Sequence, residues 1–202
     1  MASRKSSKAL SIYQIKVTLR DIRPPIWRRV QVCSHESLEH LHYVIQLSMG
    51  WTNSHLHSFH IQGVEYGMML PDDLGFDELE THDETKFKLS QVISGEKFKF
   101  SYLYDFGDSW EHEVLVEKVL DADPEVDYPI CIKAKRACPP EDCGGSWGYE
   151  RFLEAIQDPE HPEHEEMLEW RGDAFDPEDP ELDEANRQLK RIDEWKRLAE
   201  ML

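Results

Sequence analysis

In this chain of 202 residues, 41 Asp and Glu face 23 Lys and Arg, and 40% of positions are hydrophobic. The length suffices for a packed core without staples, and the hydrophobic share argues against a disordered chain. A formal charge of −18 disfavours non-specific binding to nucleic-acid phosphates. Cys33, Cys131, Cys138 and Cys143 are too unevenly spaced for a secreted disulfide framework. Residues 1–8 lack the apolar segment of a signal peptide, and no apolar run reaches the roughly 20 residues of a membrane span. A soluble cytoplasmic protein without membrane association is expected.

Residues 1–10 read as a flexible tail. Ile15, Val17 and Leu19 alternate with Lys16 and Thr18, the period of a half-buried strand, until Arg23-Pro24-Pro25 breaks the ladder. Ile26, Arg28, Val30 and Val32 then share one face of a second strand. Ser34 is expected to cap a helix with the stripe Leu38, Leu41, Val44, Ile45 and Met49, closed by Gly50. His35, His40 and His42 share no obvious face of it and are expected at its surface or boundary. His55, His57, Phe59 and Ile61 occupy one face of the next strand, where histidines two apart can chelate a metal but more commonly flank a core aromatic.

Residues 71–84 are acidic, without Lys or Arg and without calcium-loop spacing, and read as a solvated loop. Residues 89–93 form a helical turn. Phe98, Phe100, Tyr102 and Tyr104 alternate with polar neighbours, and His112, Val114 and Val116 resume the pattern beyond a turn, which predicts a hairpin. After a loop over 121–129 come the strand Ile130-Cys131-Ile132, a Pro/Gly-rich turn, and a helix carrying Tyr149, Phe152, Leu153 and Ile156. A further helix over 160–170 ends at Gly172, with Met167, Leu168 and Trp170 as its apolar positions. Asp179 as N-cap and Pro180 at the first position open a last helix of about 20 residues, striped by Leu182, Ala185, Leu189, Ile192, Trp195 and Ala199. The order predicts an α+β core over 11–133 with a mixed, mostly antiparallel, β-grasp-like sheet. A Cys/Gly turn and helical C-terminal segment over 134–202 would pack on it in a single domain.

The densest mix of aromatic, acidic and imidazole groups is Tyr104-Asp105-Phe106-Gly107-Asp108-Ser109-Trp110-Glu111-His112. Gly107 is expected to take the positive φ of the turn, with both Asp side chains bonding their own backbone. Cys138 and Cys143 bracket Pro139-Pro140-Glu141-Asp142. If that turn meets the hairpin tip, Asp105, Asp108, His112, Cys138 and Cys143, joined by His57, form a candidate ligand set, and thiolates with imidazole point to zinc. Buried free thiols and turn-forming carboxylates are the plainer reading of the same residues. Gly144-Gly145-Ser146 matches neither the phosphate-loop nor the dinucleotide spacing and reads as a tight turn into a helix. Asp105-Phe106-Gly107 lacks the companion motifs of a kinase, and no nucleophile elbow surrounds Ser109. Trp27, Trp51, Trp110, Trp147 and Trp170 read as core, or together with Tyr102 and Tyr104 as the lining of a groove for a peptide or a base.

Trp51 with His55-Leu56-His57-Ser58-Phe59, the 104–112 run, and Cys138-Pro139-Pro140-Glu141-Asp142-Cys143-Gly144-Gly145 ahead of Gly148-Tyr149 carry a family likeness in their order. From about residue 11 to about residue 192 the chain resembles the plasmid pRiA4b ORF-3-like family. The resemblance implies company with plasmids and mobile elements. It transfers no catalytic residue, and recombinase activity is not carried over because no serine-recombinase pattern is present. Two functions are expected. The favoured one is a cytoplasmic interaction or regulatory module with a protein or peptide partner, because the ligand spacing is loose. The other is a zinc-dependent hydrolase between the hairpin and the 138–145 turn, with Glu111 or Glu141 as base.

Overall fold

A computed structural model describes residues 11–69, 81–172 and 174–199. Strands β1 (Ser11–Leu19) and β2 (Trp27–Cys33) pair antiparallel, from Ile12 opposite Cys33 to Thr18 opposite Trp27. The face of β2 picked out by alternation is the buried one, and it takes Arg28 inside with Val30 and Val32. Arg28 meets the cost of burial with backbone carbonyls: Nε donates to Ser48 O at 2.6 Å, and Nη1 donates to Trp27, Lys135 and Arg136.

Helix α1 (Leu38–Met49) is capped by Ser37 rather than Ser34, its hydroxyl accepting from His40 N at 3.1 Å. It ends as expected at Gly50, whose φ of 91° closes the last turn. The expectation of surface histidines is corrected here, because His40 and His42 are both buried. The sheet lies against one side of α1 and two C-terminal helices against the other, so polar as well as apolar positions are enclosed.

The strands that follow are β3 (His57–Ile61), β4 (Val64–Gly67) and β5 (Thr81–Asp83). Residues 70–80, most of the acidic stretch expected to be a solvated loop, lie outside the described residues. Residues 81–84 correct that expectation: they form β5 and open a 3-10 turn (Glu84–Lys86), and Glu84 is buried. The short helix α2 (Leu89–Val92) leads to β6 (Lys99–Tyr104), β7 (Trp110–Asp121) and β8 (Ile130–Lys135). The described strands form one sheet in the order β5-β4-β3-β6-β7-β1-β2-β8, antiparallel except for β4 with β5. The fold is α+β, with the core between the α1 side of the sheet and the helix itself.

Helices α3 (Gly145–Gln157) and α4 (His164–Arg171) follow, α3 burying Tyr149, Phe152 and Ala155. The last stretch is two helices, α5 (Leu182–Leu189) and α6 (Ile192–Ala199), not one. The bend at Lys190 and Arg191 keeps Leu189 and Ile192 both buried. Asp179 caps neither helix; its carboxylate accepts from Glu181 N. Asn186 on α5 clamps β8, accepting from Cys131 N and donating to Cys131 O, both at 2.9 Å. Among the described residues no helix is long and apolar enough to cross a membrane.

Candidate metal centre at the hairpin tip

The β6–β7 turn is held by Asp105. Its Oδ1 accepts from Gly107 N at 2.9 Å and Asp108 N at 3.3 Å, while Ser109 N donates to Asp105 O at 2.7 Å. The left-handed residues of this turn are Asp105 (φ 56°) and Ser109 (φ 54°), not Gly107. A short polar side chain bonded to its own turn tolerates that region. Oδ2 of Asp105 is thereby left facing away from the turn.

The 138–145 segment folds onto this tip. Gly144 N donates to Asp108 Oδ2 at 3.0 Å, and Trp51 Nε1 donates to Pro139 O at 3.0 Å. The Glu141 carboxylate accepts from Tyr104 OH and, at 2.7 Å, from Thr52 N. Gly145 (φ 70°) makes the closest approach: a Cβ there would sit 2.7 Å from Asp108 O. Only glycine fits.

Where the two segments meet, His55 Nε2 lies 3.0 Å from Asp142 Oδ1, 3.5 Å from Glu141 Oε2 and 3.6 Å from Asp105 Oδ2. That nitrogen is shielded from solvent, yet no hydrogen bond reaches it. Burial, reinforced by the Glu141 charge, holds the Tyr104 phenol well above its ordinary range, so it stays protonated as a donor to Glu141.

The six ligands expected from the sequence do not assemble into one set. Asp105 belongs to the His55 cluster. Asp108 is engaged by Gly144. His112 is enclosed between the rings of Trp51 and Tyr102, and burial pulls it down to about 4. Burial drives the Cys143 thiol up to about 12 and Cys138 higher still, so both stand as protonated thiols. His57 faces Glu84. Among the described residues, His55, Asp105 and Asp142 are one of two groups of three donors within 4.8 Å of one another; the other is Cys33, His35 and Glu36. Sequence reasoning raised His55 only as a chelating pair with His57 and Glu141 only as a base, and it left Asp142 out. His55 precedes β3 and meets other carboxylates than His57 does. The available signal was the acidic pair inside the bracketed turn.

The family model for the plasmid pRiA4b ORF-3-like protein matches residues 11–184. The chain belongs to this family. It is 42% identical over 165 residues to the uncharacterized protein y4hQ of Sinorhizobium fredii, covering 81% of this chain and 82% of that protein. It is also similar to the crystal structure of a protein of unknown function, MM3350 from Methanosarcina mazei Go1. That likeness has a TM-score of 0.75 and 39% identity, over 85% of this chain and 97% of the other. In this pRiA4b ORF-3-like protein the His55 cluster borders a cavity of about 480 Å³ whose lining includes Trp51, Glu141, Asp142, Trp170 and Phe175.

Trp147 corrects the expectation that the tryptophans are core. It is 83% exposed on the first turn of α3, and Trp170 and Leu168 on α4 are exposed as well.

Proposed function

We propose that the protein binds a divalent cation through His55, Asp105 and Asp142, with Glu141 at the edge of the site, and that metal-assisted hydrolysis is the reaction class of this centre. One observation carries the reading: a buried imidazole nitrogen without a hydrogen bond, ringed by three carboxylate oxygens. Donor atoms about 2.1 Å from a shared ion lie about 3.0–3.4 Å apart in octahedral or tetrahedral arrangements, close to these separations. One imidazole with two carboxylates, completed by water, suits Zn²⁺ or Mn²⁺. Asp142, 71% exposed, leaves one side open for water or substrate. Four free cysteines support a reducing, cytoplasmic compartment.

The test is calorimetric titration of the metal-stripped chain with ZnCl₂ and MnCl₂. One site per chain is expected, lost in His55→Ala and Asp105→Asn. No heat up to roughly 1 mM metal, the weak end of protein affinities for divalent cations, would overturn the centre. Metal-dependent turnover of p-nitrophenyl acetate or bis(p-nitrophenyl) phosphate supports the hydrolytic step; turnover of neither by the metal-loaded chain removes it.

A second reading, an interaction or regulatory module in mobile-element biology, is favoured by the exposed Trp147. A photocrosslinking residue at position 147 should give one discrete protein adduct in cells, and its absence counts against that role.

A further inference from the structure

A second constellation lies on the other side of Asn53, independent of the metal centre. His42 and His57 stack face to face, ring centroids 3.5 Å apart and planes within 6°. His42 is fully engaged: Nδ1 lies 2.8 Å from Tyr102 OH and Nε2 lies 2.8 Å from Asn53 Oδ1. The amide oxygen requires a proton on Nε2, so the neutral ring accepts at Nδ1 from Tyr102 OH. His57 Nε2 sits 2.9 Å from both oxygens of Glu84, while its Nδ1, in a side chain only 1% exposed, has no hydrogen-bond partner.

Glu84 is the unusual member. Its side chain is 4% exposed, and among the described residues it forms no ion pair with Lys or Arg. Its one close partner is the His57 imidazole, whose Nε2 lies 2.9 Å from both of its oxygens. A buried carboxylate without a cation is costly unless something supplies the charge. Glu84 and His57 both line a cavity of about 270 Å³, walled also by Glu39, Tyr43, Met68 and Met69. The chain's own chemistry indicates what this wall favours. The Lys196 ammonium lies over the Tyr43 ring at 5.7 Å from its centroid and 3.4 Å from Glu39. An aromatic face, two soft thioethers and carboxylates together favour an organic ammonium over a strongly hydrated metal ion.

We propose that this cavity binds a small organic cation, an alkylammonium or guanidinium group, with Glu84 as its counter-charge and Tyr43, Met68 and Met69 against its carbon skeleton. A volume near the lower end for small-molecule sites limits the occupant to a short chain. The proposal needs no metal at the His55 cluster, so the two readings stand or fall separately.

Methyl-¹³C methionine spectra of the full chain provide the readout, titrated with n-butylammonium, with n-butanol as the neutral isostere and with diamagnetic MgCl₂ alone. Saturable shifts of the Met68 and Met69 methyls are expected from butylammonium and not from butanol at equal concentration. Glu84→Gln keeps the shape of the side chain and removes its charge, and should weaken butylammonium about tenfold or more, as expected for loss of a charge-assisted contact. Should that variant not fold, Thr85→Trp, at an exposed position on the rim, must abolish the same shifts by filling the mouth. Equal shifts from butanol, unchanged affinity in Glu84→Gln, persistence of the shifts in Thr85→Trp, or the same saturable shifts from MgCl₂ alone would each overturn the proposal.

Discussion

Lowering the pH from 7 to 5 should remove much of the stability, because the core holds imidazoles that burial keeps neutral. His57 is pulled down to about 3 and His112 to about 4, both from 6.5 by burial; His42 lies well below 6.5 through burial and the adjacent His57. A base depressed in the fold takes its proton first in the unfolded chain, so its stabilisation is intact above 6.5 and is lost as pH falls toward the folded value. Each such histidine costs about 1.4 kcal/mol per pH unit below its ordinary value, or about 2 kcal/mol at pH 5. Glu84 acts in the opposite sense. Burial raises its carboxyl from 4.5 to about 7, so the penalty for ionising it inside the fold fades as pH drops, returning about 2 kcal/mol by pH 5. His40, which burial pulls down to about 4, adds a fourth such group; four histidines against one glutamate leave a net loss of about 6 kcal/mol, comparable with the whole stability of a marginal domain. Urea melts at pH 7, 6 and 5, followed by Trp fluorescence and far-UV circular dichroism, measure it. His112→Gln keeps a polar side chain near Tyr102 O and removes one titrating group, so the pH-dependent loss should shrink by about 2 kcal/mol. A urea midpoint that stays level or rises between pH 7 and pH 5 refutes the reasoning.

Gly145→Ala should lift the 138–145 turn from the hairpin, since the added Cβ meets the Asp108 carbonyl at 2.7 Å. The left-handed backbone alone costs at least about 1 kcal/mol for a non-glycine residue, so the urea midpoint must fall, and an unchanged midpoint contradicts the docking described above. Asn186→Ala removes both hydrogen bonds to Cys131 and should cost about 2 kcal/mol. Faster amide exchange at Cys131 is the local signature; exchange as slow as in the parent would show that α5 does not hold the edge of β8 through Asn186.

Period and punctuation made most of the secondary structure legible. The alternation around Tyr102 and His112 marks the hairpin, and the apolar stripe with Gly50 marks α1. Local pattern failed where burial came from a distant element. His42 and Glu84 look like surface residues in the sequence, and both are enclosed because β3, α1 and the 3-10 turn close on one another. The last helix reads as continuous because its stripe never breaks, yet the chain bends to follow α1.

By itself the sequence determined the α+β class and, through its motifs in order, the family. The class follows from side-chain period and turn chemistry, which act over a few residues. The docking of the Cys138 turn on the hairpin stood only as a condition until the tertiary structure brought Gly144 to Asp108. The arrangement of the candidate ligand atoms was decided only in three dimensions. Asp105 presents Oδ2 because its other oxygen is held by the turn, and His55, in the bend ahead of β3, meets Glu141 and Asp142 while His57, paired opposite Tyr104 in β3, meets Glu84. Spacing along the chain cannot reveal which of two histidines, two residues apart, faces which carboxylate. That depends on what the sheet and the returning turn bring to each.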